Sequence, residues 1–221
     1  MVKAFNFFKR KQGLSVEDFR KYWLNEHAAI IRAIPELRKY TASITLPSAY
    51  RNREPLYDGI SEAWFEDEHT LRATADSAPR QAAHADDAKF VDMSTTGSII
   101  VDEVIQKEER AITGAVKMFS MLTRKLGTDV AAFQAYWRTN HGPLAAKIPQ
   151  TRRYVQCHVR PSSYADGRIP RYDGVAEMWF DNFEAVRESG NTDEYRAVKI
   201  DEPKFLALPF PFIIASEHEV V

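Results

Sequence analysis

Two histidines carry the first chemical signal. His27 ends a run in which Phe19, Trp23 and His27 stand four residues apart, and His141 ends the same run with Phe133 and Trp137. At that spacing the three side chains share one helical face. Packing explains the phenylalanine and the tryptophan, but an apolar stripe makes no demand for an imidazole. A half-buried histidine bonded to backbone is one reading. A general acid/base, or a donor to a substrate oxygen, is the other.

A carboxylate is the natural second group. Glu62 lies between Ile60 and Trp64, and Glu177 between Val175 and Trp179, so strand alternation puts each glutamate on a face with two large apolar residues. An ionised group there is costly unless it is paired or working. It could act as a base, orient the histidine, or be neutralised by Arg38 and Arg152 or by the Arg10-Lys11 and Arg124-Lys125 pairs. The catalytic candidates are therefore His141, His27, Glu177 and Glu62. Trp137, Trp23, Tyr136, Tyr22, Tyr164, Tyr50, Trp179 and Trp64 are the candidates for lining a substrate pocket. Asp58-Gly59 and Asp173-Gly174 read as turn residues before a strand.

The elements that must position these groups occur twice. From Lys3 to Tyr40, 14 residues recur 114 positions later, among them Phe19/Phe133, Tyr22/Tyr136, Trp23/Trp137, His27/His141 and Tyr40/Tyr154. The offset then slips by one residue, so Tyr57-Asp58-Gly59 matches Tyr172-Asp173-Gly174 and Lys89-Phe90 matches Lys204-Phe205. Within each copy the pattern predicts a strand (Lys3 to Phe8; Met118 to Leu122), then a helix capped by Ser15 or Asp129 and limited by Ile34-Pro35 or Ile148-Pro149. Strands at Tyr40 to Leu46 and Gly59 to Phe65 follow, with counterparts at Tyr154 to Val159 and Gly174 to Phe180. A second helix comes next, from Glu66 to Ala75 and from Asn182 to Glu188, and Ala-rich Ala78 to Asp92 reads as a further helix with loops. Gly97 to Val104 and Phe210 to Ser216 supply the fourth strands.

The order βαββαβ is ferredoxin-like and of α+β class. Two copies in one chain, residues 1–106 and 111–221, can bury their open sheet faces against each other, which predicts an intramolecular dimeric α+β barrel. The charged stretch Gln106 to Arg110 reads as the linker.

Composition narrows the partners. With 30 Lys+Arg against 31 Asp+Glu, the 221-residue chain lacks the clustered cation excess of a nucleic-acid binder. A single cysteine, Cys157, excludes a disulfide framework and suits a reducing cytoplasm. No run approaches the ~18 apolar residues of a membrane span. Dinucleotide, P-loop and nucleophile-elbow motifs are missing, and so are H-E-x-x-H and H-x-H, so no metal site is expected from local motifs and metal ligation is left only to groups that the fold brings together. Cys157 and His158 are adjacent in one copy only, and on a strand they point to opposite faces.

Each half resembles the EthD domain family of the dimeric α+β barrel superfamily. The residues that carry the likeness are Lys9 to Phe19 with Tyr22-Trp23, Glu26-His27 and Ile34 to Tyr40. In the second copy they are Phe133, Tyr136-Trp137, Asn140 to Ala145, Ile148-Pro149 and Arg152 to Tyr154. Asp86-Asp87-x-Lys89-Phe90 and Asp201-Glu202-x-Lys204-Phe205 match as well. The first copy departs after His27, where Ala28-Ala29-Ile30 replaces Gly142-Pro143-Leu144, which leaves open whether both pockets work. Fusion of two copies in one chain predicts unequal pockets, one active and one mainly structural, with the second preferred as the active one.

The resemblance implies an enzyme without a cofactor: a lyase or isomerase that performs proton transfer, dehydration or tautomerisation on a hydrophobic aromatic or polyketide-like molecule, with histidine as acid/base. Two alternatives stand beside it, a haem-binding barrel enzyme with one histidine as axial ligand, and a non-catalytic ligand-binding accessory protein. The expected partners are a small aromatic substrate and, through exposed helices, a second copy of the chain.

Overall fold

The computed structural model describes residues 1–109 and 114–221, which divide into two units, 1–101 with 217–221, and 102–216. In the first unit β1 (Val2–Arg10) pairs antiparallel with β3 (Gly59–Phe65) on one side and with β4 (Val91–Glu108) on the other, and β2 (Lys39–Thr45) joins the far edge of β3. In the second, β5 (Val116–Leu122) pairs with β7 (Gly174–Phe180) and β8 (Phe212–Glu219), and β6 (Thr151–Val159) completes the row beside β7. Both units have the ferredoxin-like α+β arrangement that the periodicity predicts.

The helix after the first strand has an unexpected middle. It begins where expected: the Ser15 side chain accepts from the Asp18 amide, and Asp129 accepts from Ala131 and Ala132. After Val16–Tyr22 it widens into a π turn at Trp23–His27 and then closes as Ala28–Ile31; the second unit repeats this at Trp137–His141 and Gly142–Ala145. Over eight residues a regular α-helix would carry His27 about 80° away from Phe19. The wider turn takes back part of that drift and holds the imidazole over the sheet. Phe19, Trp23 and His27 are all buried there, as are Phe133, Trp137 and His141.

The apolar residues of this helix and of Ala78–Phe90 cover one face of the first sheet, around Phe8, Tyr40, Ala63 and Phe65. Two glycines make that fit possible. A β-carbon at Gly59 would stand 2.4 Å from the Trp23 ring, and one at Gly174 would stand 2.5 Å from Trp137. These residues therefore do more than turn the chain: they admit an indole against a strand.

One boundary differs from expectation. Gln106, Lys107 and Glu108 do not form a linker but continue β4, where Lys107 bonds the Ile148 carbonyl and the Glu109 amide bonds Arg152. Arg110, the last residue of the expected linker, lies outside the described residues. No described helix is long and apolar enough to cross a membrane.

Candidate active site

Each histidine is gripped by an aspartate from the last long helical segment of its unit. His27 Nδ1 lies 2.9 Å from Asp86 Oδ2, and His141 Nδ1 lies 3.0 Å from Asp201 Oδ2. The other oxygen of Asp86 accepts from Tyr22 Oη at 2.9 Å and pairs with Lys89 Nζ at 2.8 Å. At Asp201 the same places are taken by Tyr136 at 2.8 Å and Lys204 at 3.0 Å. Spacing explains the cluster: Asp86, Lys89 and Phe90 occupy i, i+3 and i+4 of one helix face, and the Phe90 ring packs 4.8 Å from the imidazole. Phe205 does so at 4.7 Å from His141.

Burial works to raise both aspartates, but the hydrogen bonds from lysine, histidine and tyrosine outweigh it and hold them below the usual carboxylate range. An ionised carboxylate only accepts hydrogen bonds. At His141 the neutral imidazole accordingly keeps its proton on Nδ1 and offers the Nε2 lone pair to the cavity, whereas at His27 the Nε2 has Asp87 Oδ1 at 3.5 Å in front of it. For His141, burial pushes the pKa below the ordinary histidine value against the pull of Asp201, which favours the neutral, basic form at neutral pH.

A cavity of about 440 Å³ adjoins His27, and another of about 440 Å³ adjoins His141. Trp23 and Tyr40 line the first, with the indole Nε1 donating to Tyr40 Oη at 3.2 Å; Trp137 and Tyr154 line the second, at 2.9 Å. Burial pushes each of these tyrosines up to about 12, so both stay protonated and able to donate. The pockets are thus equal in size, against the inequality expected of two fused copies. Their linings differ. Around His27 stand Asn6, Ser61, Arg80, Gln81, His84 and Asp87, whereas Met118, Met178, Val186, Leu208, Phe210 and Phe212 surround His141.

Several expected site residues lie elsewhere. Ser61 and Met178 face the cavities, so Glu62 and Glu177, one residue away on their strands, face the other side of the sheet. Glu62 is ion-paired with Lys3 at 2.6 Å, and Glu177 with Lys117 at 2.8 Å, all fully buried or nearly so. Pairing by lysine from the adjacent strand, rather than by Arg38, Arg152 or the Arg10-Lys11 and Arg124-Lys125 pairs, is what these positions hold. Trp64 and Trp179 share that far face, packed over the same lysines at 4.6 Å and 4.3 Å. Tyr50 and Tyr164 do not line the pockets either; they donate to Asp58 and Asp173, which also take Arg10 and Arg124. Tyr22 and Tyr136 act on the aspartates instead of on the cavity space.

Asp86 and Asp201, the partners of the histidines, carried a visible signal in their recurrence with Lys89-Phe90 and Lys204-Phe205. Only the fold shows what they hold. Cys157 and His158 diverge as expected: the thiol bonds Glu177 Oε2 at 3.2 Å on the far face, while the imidazole packs 4.5 Å from Trp137. Glu103, Cys157 and Glu177 bring ligand-type atoms within 4.8 Å of one another, but Glu177 is already neutralised by Lys117 and the group assigns no metal. Haem fits neither histidine. Asp87 Oδ1 stands 3.5 Å from His27 Nε2 where an iron would have to sit, and Lys199, the one lysine or arginine among the described residues lining the second cavity, is paired with Glu202 and leaves propionates without a partner.

Fold and site together define a tandem ferredoxin-like α+β protein with a buried His-Asp pair beside a cavity in each repeat. The EthD domain pattern matches residues 11–94 and 125–209, well over half of the chain, and the chain belongs to that family. No curated protein sequence matches it significantly. Solved structures match over its whole length at low identity. An anthrone oxidase-like protein superposes with a TM-score of 0.68 at 9% identity, over 99% of this chain and 93% of its own. A protein from Lactobacillus acidophilus NCFM provisionally named a monooxygenase gives 0.58 at 10% identity, over 100% and 94%. A chlorite dismutase mutant from Candidatus Nitrospira defluvii gives 0.50 at 8% identity, over 97% and 91%. At such identities these matches speak for the fold.

Proposed function

We propose that the chain is a cofactor-independent lyase or isomerase in which His141, and in its own cavity His27, moves a proton to and from a hydrophobic aromatic or polyketide-like molecule. The observation that carries this is the pair of Tyr-Asp-His arrays, each with Nδ1 committed to a buried aspartate and a cavity at the imidazole. In the second cavity, Nε2 takes the proton from a carbon next to a carbonyl, and the charge that develops on oxygen finds a donor in Tyr154. Asp201 stabilises the imidazolium that results, and return of the proton to a different atom, or loss of a leaving group, completes isomerisation or elimination. The carboxylates Glu62 and Glu177 have no part in this step.

The test is solvent exchange. Incubated in D2O with 2-tetralone, a neutral enolisable aromatic ketone, the protein is expected to speed deuterium incorporation at the carbon between ring and carbonyl, seen by NMR. The double variant His27→Gln/His141→Gln should lose that rate, and the wild-type rate should rise with pH through a value below the ordinary histidine pKa and then level off. Exchange that survives the double substitution overturns the proposal. Oxygen uptake recorded alongside reports whether the carbanion goes on to be oxygenated.

A further inference from the structure

The two cavities share their histidine wall but not the opposite wall. The pairing Asn6↔Ser98 in the first unit corresponds to Ser120↔Phe212 in the second, so a serine beside one cavity becomes a phenylalanine beside the other. Ser61 is replaced by Ala176, and Arg80, in the first turn of Ala78–Phe90, by Tyr195. Arg80 is half-buried and lines the cavity, yet among the described residues its guanidinium has neither an ion-pair nor a hydrogen-bond partner. The neighbouring carboxylate, Asp87, is drawn by the charge of Arg80 but makes no ion pair with it; its oxygens face two imidazoles, His27 Nε2 at 3.5 Å and His84 Nδ1 at 3.8 Å. In the second cavity the cation is Lys199, and Glu202 neutralises it. A planar, always-charged fork left open in a pocket is suited to a carboxylate or another anionic oxygen group, which it can hold through two parallel hydrogen bonds.

We infer that the first unit's cavity binds a small aromatic molecule bearing an anionic oxygen group, seated on Arg80 with its ring between Trp23 and His27, whereas the second cavity takes neutral apolar molecules. Asn6, Ser61, Thr96 and Ser98 supply further hydrogen-bonding groups along the first cavity, and none of them has a polar counterpart as long in the second. The inference rests on reading the cavities as substrate sites. Its test measures binding alone, so it can fail while proton transfer stands, and the reverse.

Full-length protein is titrated with 4-fluorobenzoate and with 4-fluorobenzyl alcohol, and the fluorine resonance of each probe is followed. The benzoate is expected to bind at millimolar concentration or below. Arg80→Gln should weaken it about tenfold or more, the loss of one charge-assisted hydrogen bond, and leave the alcohol within about twofold. Arg80→Lys should recover part of the benzoate affinity through charge without the fork. Tyr195→Arg should give the second cavity a benzoate site that persists in the Arg80→Gln background. A benzoate affinity indifferent to Arg80→Gln, tighter binding of the alcohol to the first cavity, or no benzoate binding at millimolar concentration overturns the inference. Thermal melting confirms that each variant is folded, which the half-exposed position of residue 80 in the first helical turn favours.

Discussion

The cavity beside His27 and the cavity beside His141 have the same volume, about 440 Å³, and the same tryptophan, histidine, tyrosine and aspartate on one side. They part company on the other side, where Asn6, Ser61, Arg80 and Ser98 stand against Ser120, Ala176, Tyr195 and Phe212. The difference separates two kinds of constraint. On the shared wall each residue answers to several others: Asp86 holds His27, Tyr22 and Lys89 at once, and Trp23 needs both Tyr40 and the bare backbone of Gly59. Changing one strands the rest as buried, unsatisfied groups. Residues on the divergent wall have fewer ties: Asn6 donates to Ser61 at 3.1 Å in the first unit, a bond that Ser120 and Ala176 do not make in the second, where Ala176 has no hydroxyl to offer.

The comparison breaks first at the histidines. His141→Gln is expected to lower exchange of a neutral ketone by about 10²–10⁴-fold, the usual weight of a general base, with His27→Gln leaving that substrate nearly unchanged. Equal losses from both single variants would show that the linings do not sort substrates.

The shared parts should respond alike in the two units. Lys117→Met leaves Glu177 buried without its lysine and is expected to cost about 3–5 kcal/mol in denaturant unfolding, as Lys3→Met does for Glu62. Gly174→Ala and Gly59→Ala force an indole away from a strand and should each cost about 1–3 kcal/mol. A large imbalance within either pair would mean that the repeats are held together differently.

The smallest effect concerns acid. His158, whose counterpart is Ile44, has its pKa pushed down to about 3, first by burial and then by Arg138, and its Nδ1 has no hydrogen-bond partner. A histidine depressed in the folded state binds its proton more readily when unfolded. Its contribution is therefore complete above about pH 6.5 and is lost as pH falls towards 3; the lowered pKa of His141 acts in the same direction. His158→Ile, which restores the residue of the first unit, should flatten the decline of the melting temperature between pH 6.5 and 4. An unchanged slope would remove His158 from that account.

Much of this was legible in the residues. The 114-residue repeat gave the two copies, the period changes gave βαββαβ, and the Phe-Trp-His stripe pointed at the wall that lines each cavity. Strand alternation also put Glu62 with Trp64, and Glu177 with Trp179, on common faces, where the structure finds them. What the pattern could not say was which face the histidine helix covers. That depends on the packing of a helix onto a sheet, and it turned the expected His-Glu pair into two separate sites on opposite sides of the same strand. Asp86 lies 59 residues from His27 in the chain, a separation at which no spacing rule operates.

The sequence by itself determined the repeat, the class of fold and the recurrence of a histidine at the end of each aromatic stripe, because periodicity and recurrence are properties of a line of residues. Tertiary structure alone decided the partner of each histidine, the equal volume of the two cavities and the open guanidinium of Arg80 in one of them. These are distances between side chains from different elements, fixed only when helices settle on a sheet and each buried polar atom must find the partner that desolvation obliges it to have.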